Sequence, residues 1–177
     1  MKASILLIAA ALLLSACSKS IDGSRYLDDP PTFDLYTFFD GEVKAWGIVQ
    51  DRSGDLLQRF EVDIDGSVAD GVLTLDETFA YSLGEGVEKR IWTIRETAEG
   101  TYEGMADDIA GPATGTAYGN AVYWRYEMDL PVGDSEYRVA FKDWIWAFDD
   151  RTIVNRSYIQ KFGLVMAEVT LFMQKQG

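Results

Sequence analysis

Histidine is absent from the 177 residues, and cysteine occurs once, at position 17. The lack of histidine excludes a His-based triad, a Cys–His dyad and an ordinary zinc site, and a single cysteine cannot form a disulfide within the chain. Basic residues are also few, because 16 Lys and Arg stand against 29 Asp and Glu, for a net charge of −13. Such a charge argues against nucleic-acid binding, which needs clustered basic residues. We therefore expect no metal, no other cofactor and no enzyme.

The longest apolar run is short, from Ile5 to Leu14. A helix of that length spans about 15 Å, whereas the bilayer core is about 30 Å thick. The run therefore predicts a signal peptide over residues 1–16 and not a membrane-spanning helix.

The tetrad Leu14-Ser15-Ala16-Cys17 resembles the bacterial lipobox. The resemblance implies that Cys17 becomes the acylated N-terminus of the mature chain; the alternative is an ordinary secretory signal followed by a chance cysteine. Ser18 follows the cysteine, where lipoproteins retained at the inner membrane typically have Asp. The resemblance thus favours the periplasmic face of the outer membrane.

Residues 17–32 are predicted to be a lipidated N-terminus and tether. The segment is polar and ends in Asp28-Asp29-Pro30-Pro31. Two prolines extend the backbone and cannot continue a helix or pair centrally in a sheet. Fully extended, the segment would reach about 40 Å. We expect it to hold an acidic domain away from anionic headgroups.

The remaining residues, 33–177, show an apolar period of two. In 121–130, Val122, Trp124 and Tyr126 share one face and Arg125 lies on the other, which is typical of a half-buried antiparallel strand. Similar runs, separated by Gly, Asn and Asp, occupy 43–50, 56–65, 71–82, 88–97, 101–108, 136–148, 152–160 and 164–174. The pattern predicts one all-β domain, an antiparallel up-and-down barrel of about eight to ten strands.

The strand over 137–148 is apolar on both faces. Trp144 and Trp146 share one parity, and Val139 and Phe141 share the other. Either a bulge at Asp143 shifts the register, or one face is core and the other is a contact surface.

The body of the chain also resembles an uncharacterised proteobacterial lipoprotein family, a domain of unknown function. The resemblance extends over about 39–172 and depends on Phe39-Asp40-Gly41, Ala45-Trp46-Gly47, Asp51-Arg52-Ser53-Gly54, Glu77-x-Phe79-x-Tyr81, Arg90-x-Trp92, Tyr102-x-Gly104-x-Ala106-Asp107, Gly111-x-Ala113-x-Gly115, Gly119-Asn120-Ala121, Asp143-Trp144, Asn155-Arg156-Ser157 and Phe162-Gly163. It implies a lipocalin-like barrel and no known activity. The chain lacks the Gly-x-Trp opening of true lipocalins, so their ligand chemistry is not carried over.

Polar residues on apolar strand faces are the best candidates for a site. A turn at 83–84 would place Glu77 opposite Arg90, and a turn near 162–163 would place Arg156 opposite Glu168. Such pairs could hold a polar headgroup inside a barrel, or could be self-satisfied ion pairs. The full candidate ligand-binding set is Glu77, Arg90, Trp92, Trp124, Tyr126, Asp143, Arg156 and Glu168. A hydrolase in which Glu77 and Asp143 act as general acid and general base is a less favoured alternative.

Two functions fit these observations. The first is a membrane-anchored periplasmic lipoprotein whose barrel binds an apolar or amphiphilic ligand. The second is a structural or interaction lipoprotein with a packed barrel, whose outward Trp144 or Trp146 contacts an envelope protein. A cavity above about 300 Å³ facing Glu77 or Arg156 would favour the first function.

Overall fold

The computed structural model describes residues 21–83, 87–133 and 135–177. The predicted signal peptide, 1–16, the lipidation at Cys17 and the first part of the predicted tether lie outside these residues.

Ten antiparallel strands in the described residues form one closed barrel, which confirms the predicted all-β, up-and-down, lipocalin-like architecture. The strands are β1 Gly41–Asp51, β2 Leu56–Ala69, β3 Val72–Tyr81, β4 Val87–Ala98, β5 Thr101–Met105, β6 Ala113–Tyr118, β7 Ala121–Val132, β8 Ser135–Ala147, β9 Thr152–Lys161 and β10 Leu164–Lys175. Each strand pairs with its neighbours in sequence, and β1 pairs with β10 from Val43↔Lys175 to Asp51↔Ala167. Closure pairs both edges of the sheet.

The sequence pattern missed β6. This strand is short and composed of small and weakly polar residues, so it shows no apolar period. Gly115 lies at its centre because the Trp124 ring is close: a Cβ at Gly115 would lie 3.0 Å from the indole. The glycine therefore makes room for an inward tryptophan within a strand, and does not mark a bend.

A short helix, α1 (Leu35–Phe39), lies across one end of the barrel. The Asp34 carboxylate caps it by accepting a hydrogen bond from the Thr37 backbone N–H at 3.0 Å. Its apolar residues Leu35, Phe38 and Phe39 are buried in the barrel core. Because these side chains lie in the core, the helix covers this end of the barrel.

The N-terminal segment packs along the outside of the barrel. A 3-10 helix, Gly23–Tyr26, places the Tyr26 ring 5.8 Å from Trp144 and 6.2 Å from Trp146, between ring centroids. The backbone N–H of Phe33 donates to the Gly119 carbonyl at 2.9 Å. The described part of the predicted tether, residues 21–32, therefore does not extend freely from the barrel. Its one aromatic residue, Tyr26, packs on the outer wall, which the polar composition of the segment does not reveal in the sequence.

The outer face of β8 resolves the two alternatives for this strand. Its ladders with β7 and β9 run without a register shift at Asp143, so no bulge forms there. The inner face contributes to the core, and the outer face belongs to a second cluster that we call the outer cluster. Its members are Ile21, Tyr26, Tyr118, Ala121, Tyr123, Trp144, Trp146, Tyr158 and Val165. Trp144 is only 5% exposed, because residues of its own chain cover it.

Candidate functional site

The barrel interior contains a cavity of about 240 Å³. That volume would hold about eight water molecules at the density of liquid water, and it lies just below the range usual for small-molecule sites, about 300–1,000 Å³. The apolar lining consists of Leu35, Phe39, Ile64, Leu75, Phe79, Trp92, Ile94, Trp124, Phe141, Ile145, Val169, Leu171 and Met173. The predicted aromatic residues Trp92 and Trp124 therefore face the cavity.

Six polar residues share this cavity and form what we call the polar cluster. They are Glu77, Arg90, Tyr126, Asp143, Asn155 and Ser157. Each lies at an inward-facing position of its strand, and together they come from five strands, β3, β4, β7, β8 and β9. In a wall that is otherwise apolar, a polar group of this kind gives a ligand its orientation.

The predicted pairing of Glu77 with Arg90 across the β3–β4 ladder is confirmed. The guanidinium forms its ion pair with a third residue, Asp108, in the loop between β5 and β6. Arg90 Nε donates to Asp108 Oδ2 at 2.8 Å, and Nη2 lies 2.6 Å from the same oxygen. The guanidinium carbon also lies 5.4 Å from the centroid of the Phe79 ring. Arg90 is thus held over the cavity by Asp108 and Phe79.

Of the two carboxyl oxygens of Asp143, one accepts a hydrogen bond and the other has no hydrogen-bond partner among the described residues. The Tyr126 hydroxyl donates to Asp143 Oδ2 at 3.2 Å. Asp143 Oδ1 is buried and has no hydrogen-bond partner among the described residues. The neighbouring Ser157 hydroxyl instead donates to Asn155 Oδ1 at 3.2 Å. One acceptor therefore points into the barrel without a donor, a position that normally costs stability.

Burial raises the pKa of both cavity carboxyls. The pKa of Asp143 rises to about 7 because burial disfavours the ionised form; the Ser157 hydroxyl, opposite Asp143 on the β8–β9 ladder, the hydrogen bond from Tyr126 and the positive charge of Arg90 oppose this rise. The pKa of Glu77 also rises to about 7 through burial; the charge of Arg90 opposes this rise and that of Asp108 adds to it. Burial likewise raises the pKa of the Tyr126 hydroxyl well above its ordinary value.

The polar cluster can therefore exchange protons near neutral pH. When neutral, each carboxyl can donate a hydrogen bond, and when ionised, each can accept one from a ligand. Carboxyls with such pKa values can also perform general acid–base catalysis, so the hydrolytic alternative has both of its residues in one cavity. That the protein is not an enzyme stays a prediction.

Arg156 and Glu168 do not belong to the site. The register places Arg156 opposite Thr170 and Glu168 opposite Tyr158: the turn pairs Lys161 with Leu164, one residue away from the predicted register, and a bulge between Val165 and Ala167 adds a second residue. Arg156 is exposed on the outer face of the barrel, and its Nη1 lies 3.8 Å from Glu168 Oε2 as a diagonal pair. The predicted ladder pairing is wrong, and neither residue faces the cavity.

Sequence reasoning missed three residues of the site region, Asp108, Asn155 and Ser157. Asn155 and Ser157 alternate with Ile153 and Ile159 on the inward parity of β9, so the period of two could have identified them. The run 101–108 predicts a strand that includes Asp108, but β5 ends at Met105 and Asp108 lies in the loop that follows. Only the fold shows that the loop returns to Arg90.

Two further features, metal-binding groups and membrane-spanning helices, concern the described part of the chain. It contains no group of three or more acidic, histidine or cysteine residues placed to hold a metal ion. None of its helices is long and apolar enough to cross a membrane.

Comparison with known proteins identifies a fold and a family. No curated protein matches the chain. Among solved structures, the S-type phycobiliprotein lyase CPES from Guillardia theta is similar, with a TM-score of 0.58 and 12% identity over 81% of this chain and 92% of that chain. At that identity the likeness shows the fold alone. Residues 11–175 match a family described as "Protein of unknown function (DUF3833)". The chain belongs to this family, as the motifs in its body predicted.

Proposed function

We propose that this protein is a lipoprotein of the bacterial envelope that binds an apolar or amphiphilic ligand inside its barrel. The observation that carries the proposal is Asp143 Oδ1, a buried acceptor without a partner in an otherwise largely apolar cavity. A ligand that donates a hydrogen bond to this oxygen would remove the cost of leaving it unpaired. Its apolar part would lie along the wall formed by Trp92, Trp124 and Phe141.

The cavity volume, about 240 Å³, falls below the roughly 300 Å³ named above as favouring ligand binding, so the volume does not itself support the proposal, and it limits the size of the ligand. A volume of about 240 Å³ suits a small amphiphile, or one end of a longer chain whose remainder leaves the barrel. We expect the ligand to leave at the end opposite α1, past the β5–β6 loop, whose Asp108 binds Arg90 and whose Ile109 packs against the core.

The anchoring part of the proposal depends on the lipobox ending in Cys17. Two or more acyl chains hold a protein stably at a membrane, whereas one gives only marginal binding. Ser18 supports the periplasmic face of the outer membrane as the location.

The alternative, an interaction lipoprotein with an outward tryptophan patch, keeps only part of its surface. Trp144 packs against Tyr26 and is buried, so it is not free to contact a partner, whereas Trp146 remains partly exposed. The lyase named among the similar structures contributes no activity to the proposal, because the likeness is one of fold.

Native mass spectrometry of the full mature protein, purified from its own membranes, tests ligand binding. We expect a co-purified amphiphile. Titration with decanol, which can donate to Asp143, should change the emission of Trp92 and Trp124 in a saturable way. Asp143→Leu, which keeps a similar shape but has no acceptor, should weaken this binding by about tenfold, the effect of losing roughly one hydrogen bond.

Glu103→Gln is the matched control, because Glu103 is exposed on the outer face of β5 and should leave decanol binding unchanged. A protein with no bound amphiphile, and with tryptophan emission indifferent to decanol, would refute the binding function.

A further inference from the structure

Exposed apolar residues gather at the end of the barrel opposite α1. We call them the apolar rim; they are Leu56, Leu57, Leu83, Tyr137, Phe162 and Leu164, exposed by 48%, 53%, 42%, 41%, 92% and 48%. All lie at or beside strand ends that point away from α1. Single exposed apolar residues are ordinary, but an apolar patch that follows one edge of a molecule indicates an interaction surface.

Contacts between neighbouring turns make the rim continuous. The Gln58 side chain bonds the backbone of Leu83, which joins the start of β2 to the β3–β4 turn. The β1–β10 ladder places Asp51 opposite Ala167, so the β1–β2 turn lies beside the β9–β10 turn. Lys161 Nζ lies 3.7 Å from the centroid of the Tyr137 ring, which joins β9 to β8.

The β9–β10 hairpin is the basic part of an acidic protein. From residue 152 to residue 167 there is no Asp or Glu, although the chain as a whole has a net charge of −13. Arg156 in this stretch pairs with Glu168, so Lys161 supplies its other positive charge, and the Lys161 ammonium lies 5.3 Å from the centroid of the exposed Phe162 ring. Aromatic rings beside a lysine are typical of protein surfaces that lie at the boundary between lipid headgroups and acyl chains.

The first described residues pack on the same outer wall as this hairpin. Ile21 and Val165 each pack against the outer cluster, whose Tyr158 belongs to β9. Only four residue steps separate Ile21 from Cys17, and such a segment spans at most about 14 Å. A lipid on Cys17 would therefore hold the barrel wall at Ile21 close to the bilayer.

We propose that the apolar rim docks on the lipid bilayer that holds the Cys17 anchor, with Phe162 inserted at the level of the headgroups. This inference depends on the lipid anchoring proposed above and adds an orientation to it. The mouth of the barrel faces the membrane, and an amphiphilic ligand passes between the bilayer and the cavity without crossing water. The basic hairpin gives the contact a preference for anionic lipid.

A fluorescent probe at two matched positions tests the docking. Phe162→Cys and Phe148→Cys each add one thiol for an environment-sensitive nitrobenzoxadiazole label, since Cys17 is the natural chain's sole cysteine. Phe148 is the control, because it is 67% exposed but lies in the β8–β9 turn at the α1 end. The full lipidated protein is reconstituted in vesicles of phosphatidylethanolamine and phosphatidylglycerol.

We expect the probe at position 162 to shift its emission to the blue and to be quenched by spin-labelled lipid. The probe at position 148 should report water. Lys161→Gln should reduce the blue shift at position 162, and replacing phosphatidylglycerol with phosphatidylcholine should do the same.

Two failures are distinguishable. A protein that stays on washed vesicles while both probes report water overturns the docking and leaves the anchor intact. A protein that washes off, and whose Cys17 also takes the label, overturns the anchor and the docking together.

Discussion

The two cavity carboxyls, Asp143 and Glu77, predict that the free energy of unfolding falls as the pH rises from about 4 to about 7. From about pH 4 to pH 7 the folded protein keeps a proton on Asp143 that the unfolded chain has released, because the pKa of Asp143 rises from 3.8 to about 7 on folding. The free energy of unfolding contributed by this group therefore falls as the pH rises through that window, and it is level above pH 7. Glu77 acts in the same direction, from an ordinary pKa of 4.5 to about 7.

The size of the effect follows from these pKa values. The rise at Asp143 corresponds to on the order of 4 kcal/mol, and the rise at Glu77 to on the order of 3 kcal/mol. Both carboxyls retain some accessible surface in the cavity, where water stabilises the ionised form. We therefore expect Asp143 to account for about 2 kcal/mol of lost stability between pH 4.5 and pH 7.5.

Asp143→Asn removes the titration while it keeps the shape of the side chain. Urea unfolding, followed by tryptophan emission at several pH values, should show a flatter pH dependence in this variant than in the natural protein. Glu77→Gln should also flatten the curve, and exposed Glu103→Gln should not. If Asp143→Asn and the natural protein lose equal stability over this pH range, Asp143 is ionised in the folded state and the reasoning is refuted.

Three further predictions concern packing. Gly115→Val should destabilise the barrel by about 1–3 kcal/mol, since its Cβ would lie 3.0 Å from Trp124; urea unfolding measures the loss. Trp144→Ala should cost about 3 kcal/mol and should release the N-terminal segment, so that trypsin cleaves after Arg25 faster. Tyr36→Phe should cost about 1 kcal/mol in thermal or urea unfolding, because the Tyr36 hydroxyl accepts from the Glu96 N–H at 3.1 Å and lies 3.2 Å from the Ile94 carbonyl.

Control variants separate these specific effects from a general loss of folding stability. Thr114→Val places the same side chain beside Gly115 on the exposed outer face and should be close to neutral. Stability unchanged by Gly115→Val would mean that Trp124 can move aside. Unchanged cleavage after Arg25 in Trp144→Ala would mean that other contacts hold the segment.

The period of two predicted most of the barrel because half of each strand is in water and half in the core. Val122, Trp124 and Tyr126 face inward as their parity indicates. The pairing of Glu77 with Arg90 was also predictable, since a short connection limits the register of the two strands that it joins. The strand pattern failed only where side chains are small, as in β6.

Other features were beyond the reach of a local pattern. The turn at Phe162 and Gly163 and the bulge between Val165 and Ala167 each shift Glu168 by one residue from its predicted partner, and nothing in the residue types there marks the bulge. The covering of Trp144 by Tyr26 joins residues far apart in the chain, and the polar residues around Tyr26 predict only a linker. Asp108 reaches Arg90 through a loop, which has no period to read.

The pairing of β1 with β10 determines when this chain can fold. Every other ladder joins strands that are adjacent in sequence, but this one joins Val43 to Lys175, and it completes the sheet. Contacts of such high sequence separation form slowly, because the intervening chain must first be ordered. A chain that has not yet synthesised β10 carries two unpaired strand edges, on β1 and β9, and is open to aggregation. The last dozen residues thus act as the closing step of folding, and their loss should yield aggregates and not a smaller barrel.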